Sequence, residues 1–108
     1  TNPELAKQVR QRARAILKLE RPYNPALTIH QIPVDAVTTS GSGIDPDISR
    51  AYAQLQARRV AAVRRLPLAT VLHVVQQHTD GRSLGFFGEP GVNVLELNLA
   101  LDRQKAGT

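Results

Sequence analysis

The first segment of the chain alternates apolar and polar residues with a helical period. Asn2-Pro3-Glu4 is typical of a helix start, because Asn caps, Pro suits the first turn and Glu complements the positive helix end. At about 100° per residue, one side carries the apolar residues Leu5, Val9, Ala13, Ile16 and Leu17. The opposite side carries the cations Lys7, Arg10, Arg14, Lys18 and Arg21. Residues 1–21 are therefore predicted to form a basic amphipathic helix that stops at Pro22.

From residue 29 to residue 39 the period of the pattern changes to two. This alternation predicts a strand. Pro33 has no N–H to donate to a neighbouring strand, so the start of the strand is expected at a sheet edge or at an irregularity. One face of the strand would carry Ile32, Val34, Ala36 and Thr38. Residues 40–43 break regular structure, and residues 45–49 predict a turn that leads into a helix capped by Asp45 or Ser49.

A second helix is predicted over residues 49–65, with one charged residue in an unexpected place. Its apolar stripe consists of Ile48, Tyr52, Leu55, Val63 and Leu66. Arg59 lies near the middle of that stripe, with Gln56 beside it. A charge there must be paired or reach a wet interface, because burying it alone is costly.

A third helix is predicted to begin at Pro67, and two strands are predicted after it. The inward residues of the helix would be Leu68, Val71, Leu72 and Val75. Strands are predicted over residues 84–87 and 92–101, and the second of them would carry leucines on one face. Residues 103–108 are predicted to form a loose tail. The pattern predicts one α+β domain over residues 1–108, with three helices packed on a small, mainly antiparallel sheet that includes a C-terminal hairpin.

Composition narrows the classes of function. The 108 residues carry a net charge of +5 and no Cys, which excludes a disulfide framework and a thiolate zinc site. No run of about 20 apolar residues is present to span a membrane. The positive charge is compatible with nucleic acid, anionic lipid or an acidic protein surface, although 4% aromatic residues disfavour base stacking.

No catalytic motif is found in the sequence, and no catalytic or metal-binding residue is predicted. The run Ser40-Gly41-Ser42-Gly43 lacks the ending of a P-loop and the context of a nucleophile elbow. Asp45 and Asp47 have the spacing of the first ligands of a calcium loop. In that register, however, Arg50 occupies the sixth position, where Gly is required, and Gln56 the twelfth, where Glu is required. The glycine-rich run therefore remains either a structural turn or an anion-binding or partner-contacting loop.

Longer stretches of sequence resemble a known family. These are residues 34–46, then Ile48-Ser49 with Gln56 and Arg59 at the expected spacing, and finally residues 77–82, 84–90 and 92–98. They are similar to the C subunit of the bacterial Kdp-type potassium-transporting P-type ATPase.

The resemblance implies a membrane complex in which this chain is a non-catalytic accessory part. It would be the extracytoplasmic domain of a single-pass cell-membrane subunit whose N-terminal membrane helix is absent here. A channel-like subunit would carry potassium and a P-type subunit would hydrolyse ATP, so this chain would hold no cofactor. The C subunit is needed for assembly, and it has been proposed to act as a catalytic chaperone that raises the ATP affinity of the hydrolysing subunit.

Arg59 and Gln56 on an apolar stripe, together with the glycine-rich run nearby in sequence, predict a set of residues that organise one polar site or contact the channel-like subunit. They are Ser40, Gly41, Ser42, Gly43, Asp45, Pro46, Ser49, Gln56, Arg59, Glu89, Pro90 and Asn93. We expect Arg59 to pair with Asp45, Asp35 or Glu89, either as part of an interface or as an internal salt bridge.

Two alternatives from other classes remain open. The first is a basic module that binds nucleic acid or anionic lipid, although the resemblance implies no nucleic acid. The second is direct nucleotide binding.

Overall fold

The computed structural model describes residues 2–38, 47–84 and 90–106. The elements are helix α1 (Pro3–Glu20), a 3₁₀ turn (Ile29–Gln31), helix α2 (Val34–Val37), strand β1 (Asp47–Ser49), helix α3 (Arg50–Arg64), helix α4 (Leu68–Gln77), strand β2 (Thr79–Leu84), strand β3 (Pro90–Asn93) and helix α5 (Val94–Ala106). Helices and a small antiparallel sheet occupy separate parts of the chain, so the α+β prediction is confirmed.

Helix α1 begins and ends where the sequence predicts. The Asn2 side chain accepts a hydrogen bond from the Glu4 amide at 2.9 Å, and Pro3 occupies the first turn. The helix buries only Ala13, Leu17 and Glu20. Residues 2–8 are all exposed, so α1 is attached to the rest of the molecule through its C-terminal half.

The sheet has three antiparallel strands in the order β1-β3-β2. Val92 in the central strand lies opposite Ile48 on one side and Thr79 on the other. Its side chain is fully buried, because helices cover the face of the sheet on which it lies. The pairing of β2 with β3 is irregular between Asp80 and Leu84.

A column of alanines on α3 forms one wall of the core. Ala53, Ala57 and Ala61 are spaced four residues apart, so they share one face of the helix and are all buried. Their small side chains allow α4 to pack closely. The other buried members of this core are Leu66, Val71, Val74, Val75, Val92, Leu97, Ala100 and Leu101.

A tight connection joins α3 to α4. Arg65 ends α3 in the left-handed conformation, with φ of 59°, and the Leu66 amide donates to the Ala61 carbonyl at 2.9 Å. Pro67 then precedes the first turn of α4, as predicted. The two helices therefore pack against each other as a hairpin.

The strand predicted over residues 29–39 is wrong. The segment forms the 3₁₀ turn and the short helix α2 instead. The Thr28 amide donates to Gln31 Oε1 at 2.9 Å, which stabilises the turn, and Pro33 begins the helix. Of the alternating residues, only Ala36 is buried, and Val34 is exposed. The apolar alternation was too short to distinguish a strand from a single helical turn.

The strand predicted over residues 92–101 is also wrong beyond residue 93. Asn93 Oδ1 accepts a hydrogen bond from the Glu96 amide at 3.0 Å and so caps helix α5. Residues 103–106, predicted as a tail, continue this helix. There are thus four long helices in the described part of the chain, and the β2–β3 hairpin precedes the last of them.

Smaller corrections concern the inward faces and ends of the central helices. The buried stripe of α3 is the alanine column, and Val63 is 66% exposed. On α4, Val74 is buried in place of the partly exposed Leu72. Helix α4 ends at Gln77, and residues 79–81 already lie in β2.

Candidate functional site

Polar side chains cluster where the end of α1, helix α2 and one side of α3 meet. The cluster consists of Glu20, Asp35, Ser49, Tyr52, Gln56 and Arg59. It contains two links between residues distant in sequence, one from α1 to α3 and one from α2 to the start of α3. We refer to it below as the polar cluster.

The first link is a salt bridge between Glu20 and Arg59. The Arg59 Nε atom donates to Glu20 Oε2 at 2.9 Å, and Arg59 Nη2 donates to Gln56 Oε1 at 3.0 Å. The Glu20 side chain is 3% exposed and that of Arg59 is 24% exposed. Within the described residues, Glu20 Oε1 is buried and has no hydrogen-bond partner. Arg59 is therefore the cation that compensates a buried carboxylate.

The second link joins Asp35 to Ser49. Asp35 Oδ2 accepts from the Ser49 amide at 2.9 Å, and Asp35 Oδ1 accepts from the Ser49 hydroxyl at 2.6 Å. The Ser49 hydroxyl in turn accepts from the Tyr52 amide at 3.0 Å, so Ser49 is the predicted N-cap of α3. The carboxylate of Asp35 lies at the positive end of the α3 dipole, where negative charge is stabilising.

Tyr52 lies between these two links. Burial raises the pKa of its hydroxyl above 10, and the negative charges of Asp35 and Glu20 raise it further. The nearby positive charge of Arg59 opposes this shift. Tyr52 therefore stays neutral throughout the physiological pH range and contributes a polar but uncharged group to the cluster.

A groove of about 370 Å³ runs beside the polar cluster, between α3 and α5. Its apolar lining includes Ala53, Ala57, Val71, Val75 and Leu101. Its polar lining consists of Tyr52, Gln56, Arg59 and Asn98. The groove therefore has an apolar floor and a polar edge, to which the cluster contributes Tyr52, Gln56 and Arg59.

The structure brings together three of the residues that the sequence singled out, namely Ser49, Gln56 and Arg59. Pro90 lies apart from the cluster in β3, where it lines a second groove that also includes Ser49. Asn93 lies opposite Asp47 in the sheet and caps α5. The remaining candidates lie outside the described residues: Ser40, Gly41, Ser42, Gly43, Asp45, Pro46 and Glu89.

The partner of Arg59 that the structure describes is Glu20, which was not among the three acids expected. Asp35, one of those three, is engaged by Ser49 instead. A signal for Glu20 did exist in the sequence. It follows Ile16 by four residues and Leu17 by three, so it is a lone acid on the apolar side of a basic helix.

The chemistry of the polar cluster is that of a structural link. The Ser49 hydroxyl is bonded to a carboxylate and a backbone amide, and the Arg59 guanidinium is bonded to a carboxylate and an amide oxygen.

In the part of the chain that the structure describes, no three His, Cys, Asp or Glu residues lie together as a metal site. No helix there combines the length and the apolar character that a membrane span requires.

Comparison with known proteins identifies the family. The model of the family described as "K+-transporting ATPase, c chain", KdpC, matches residues 1–103. The chain belongs to the KdpC family. The resemblance noted from the sequence motifs is thereby confirmed.

Curated KdpC relatives match over nearly the whole chain. The potassium-transporting ATPase KdpC subunit of Beijerinckia indica is 54% identical over 101 residues, which cover 94% of this chain and 49% of the relative. The subunit of Streptomyces avermitilis is 50% identical over 93% of this chain and 45% of its own length. That of Mycobacterium tuberculosis is 52% identical over 95% of this chain and 52% of its own length. The chain thus spans about half the length of these KdpC subunits.

Proposed function

We propose that this chain is the extracytoplasmic domain of a KdpC subunit and acts as a non-catalytic assembly element of an ATP-driven potassium import complex. The observation that carries the proposal is the match to potassium-transporting ATPase KdpC subunits at about 50% identity over more than nine-tenths of the chain. The proposed partners are the channel-like potassium-binding subunit and the ATP-hydrolysing subunit.

The geometry of the polar cluster supports a scaffold role. Its ionic and hydroxyl groups are used in links between α1, α2 and α3, which fix the relative positions of these helices. A fixed arrangement of helices presents a preorganised surface, so less conformational freedom is lost when a partner binds. The groove beside the cluster would be one preformed feature of that surface.

An effect of this domain on ATP affinity would have to be indirect. A domain outside the membrane cannot reach cytosolic ATP, so we propose that any chaperone effect is transmitted through the assembled complex as a coupling free energy. Direct titration of ATP against the isolated chain, followed by calorimetry, should therefore give no binding heat. Saturable binding by the isolated chain would contradict this route.

A graft tests the assembly role. In the Beijerinckia indica KdpC subunit, the region matched by this chain would be replaced by residues 1–103, and the graft would be expressed with the other pump subunits. We expect the graft to co-purify with them and to support growth when potassium is limiting.

The matched control is the same graft with Val71→Asp, which places a charge in the core and should abolish both results. The original graft would contradict the proposal if it folded, as judged by circular dichroism, but failed to associate with the other subunits.

A further inference from the structure

The cations of α1 and of its C-cap residue, Arg21, form a continuous stripe along one side of the helix. Lys7, Arg10, Arg14, Lys18 and Arg21 follow one another at intervals of three or four residues, and all are exposed. With 1.5 Å of rise per residue, the stripe is about 21 Å long, and with 100° per residue its members fall within an arc of about 80°. We call it the α1 stripe.

The positive charge of the α1 stripe is not neutralised by salt bridges within the described residues. The two ion pairs found there, Arg59 with Glu20 and Arg64 with Asp102, include none of its members. Arg21 Nε donates to the Leu27 carbonyl at 3.1 Å, which leaves the charge of its guanidinium in place. On α1 itself, Glu20 is committed to Arg59, and the exposed acid is Glu4 in the first turn.

The stripe is also accessible to a large partner. The buried residues of α1 are in its C-terminal half, and residues 2–8 are all exposed. The buried residues Ala13, Leu17 and Glu20 lie outside the arc of the stripe, so its exposed side chains are open to a partner larger than a single ion. The shape and sign of the stripe fit a surface with many negative charges better than they fit a single small anion.

We propose that the α1 stripe binds the anionic phospholipid headgroups of a membrane surface. Lys and Arg residues near such a surface each strengthen binding about fivefold, so five of them give substantial electrostatic attraction. Nucleic acid is disfavoured because aromatic residues, which stack on bases, make up only 4% of the sequence. The choice of a lipid surface rests on the membrane location in the proposed function, but its test is independent of pump assembly.

The test is a vesicle-binding measurement on the 108-residue chain. Vesicles of phosphatidylglycerol mixed with phosphatidylcholine are compared with vesicles of phosphatidylcholine alone, by co-sedimentation at about 50 mM salt. We expect binding to the anionic vesicles only, and loss of that binding at about 1 M salt, where charges are screened within about 3 Å.

Two variants with the same change of net charge separate the stripe from overall charge. Arg10→Gln/Arg14→Gln removes two cations of the stripe and should weaken binding about 30-fold, at about fivefold per cation. Arg58→Gln/Arg103→Gln removes two exposed cations outside α1 and should weaken binding less than about threefold. Circular dichroism checks that both variants remain folded.

Three results would overturn the proposal: no binding to anionic vesicles, an equal loss in the two variants, or stripe-dependent binding to duplex DNA without vesicle binding. Failure of the proposed function would look different. The graft carrying Arg10→Gln/Arg14→Gln should still assemble with the other pump subunits, because the α1 stripe is proposed to contact lipid and not protein.

Discussion

Arg59 compensates a buried carboxylate, and this determines the expected cost of removing it. Arg59→Ala leaves Glu20 charged and buried, so the free energy of unfolding should fall by about 3 kcal/mol, the low end of the range for a broken buried pair. The low end applies because about a quarter of the Arg59 side chain reaches solvent. Urea unfolding followed by circular dichroism measures the change.

The neighbouring residue provides the control for this prediction. Arg58 is exposed, and Arg58→Ala should change the free energy of unfolding by less than about 0.5 kcal/mol. Adding Glu20→Gln to Arg59→Ala should recover part of the loss, because no buried charge then remains. Equal effects of Arg58→Ala and Arg59→Ala would show that the salt bridge contributes nothing.

Tyr52 gives the polar cluster a predictable response to alkaline pH. The pKa of its hydroxyl is raised above 10 in the folded state, by burial first and by Asp35 and Glu20 next. The unfolded chain therefore loses this proton at a lower pH than the folded chain does. The contribution of neutral Tyr52 to the free energy of unfolding is complete below pH 10 and is lost as pH rises through the folded pKa.

The measurement is the free energy of unfolding of the parent chain and of Tyr52→Phe between pH 8 and pH 11. Other groups titrate in this window, so the difference between the two chains isolates the contribution of Tyr52. That difference should change with pH above about 10, with the parent chain losing more stability than the variant. A constant difference would contradict the assigned surroundings of Tyr52.

At the scale of single residues, the sequence predicted the role of a side chain, such as helix capping, better than it predicted the residue with which that side chain pairs. Ser49 was predicted as a cap because capping depends on the three residues that follow it. Arg59 was predicted to need a partner because its place on an apolar stripe is a local property. The identity of that partner was beyond the sequence, because Glu20 is 39 residues away and meets Arg59 only when α1 packs on α3.

Helix α5 shows why one pattern can predict two kinds of element. Leucines occupy every second position from residue 95 to residue 101, which satisfies a strand face. Leu97 and Leu101 are also four residues apart, which satisfies a helix face. The Asn93 cap and the good helix formers Leu, Glu and Ala favour the helix. As a result, Leu95 and Leu99 point away from the core.

The two faces of α5 should respond differently to substitution. Leu101 is 1% exposed, so Leu101→Ala should lower the free energy of unfolding by about 2–5 kcal/mol. Leu95 is 64% exposed, and Leu95→Ala in the isolated chain should cost less than about 0.5 kcal/mol. Urea unfolding of both variants makes the comparison. Similar costs would contradict the helical register of α5 and favour the strand that the sequence predicted.

Across the whole molecule, burial is distributed unevenly and predicts an order of local stability. Val71, Val74 and Val75 of α4 and Val92 of β3 are at most 2% exposed. Residues 3–8 of α1, by contrast, are all exposed.

Hydrogen exchange followed by mass spectrometry should reproduce this order. Amides of α4 should exchange slowest, since they open only with global unfolding, and those in the first turns of α1 should exchange fastest among the helices. Equal protection along α1 would show that a further contact holds its N-terminal half.

The fold class and the family could be predicted from the sequence, but the layout of the sheet could not. The fold class follows from long amphipathic segments such as α1, whose periodicity extends over 18 residues. Strand β1 has only three residues, too few to show a period. Its pairing with β3 joins segments that are more than 40 residues apart, and no local signal specifies that register.

The hairpin of α3 and α4 has a consequence for the order of events during refolding. Its contacts join residues close in sequence, so they lose little chain entropy on forming, whereas docking of α1 on α3 must close a much longer loop. We expect the hairpin to form in the transition state and α1 to dock after it. Ala61→Gly should then slow refolding in stopped-flow measurements, while Leu17→Ala should mainly accelerate unfolding. The alanine column would thus set the folding rate of the chain. The contacts of α1 with α3, which include the Glu20–Arg59 salt bridge, would set its unfolding rate.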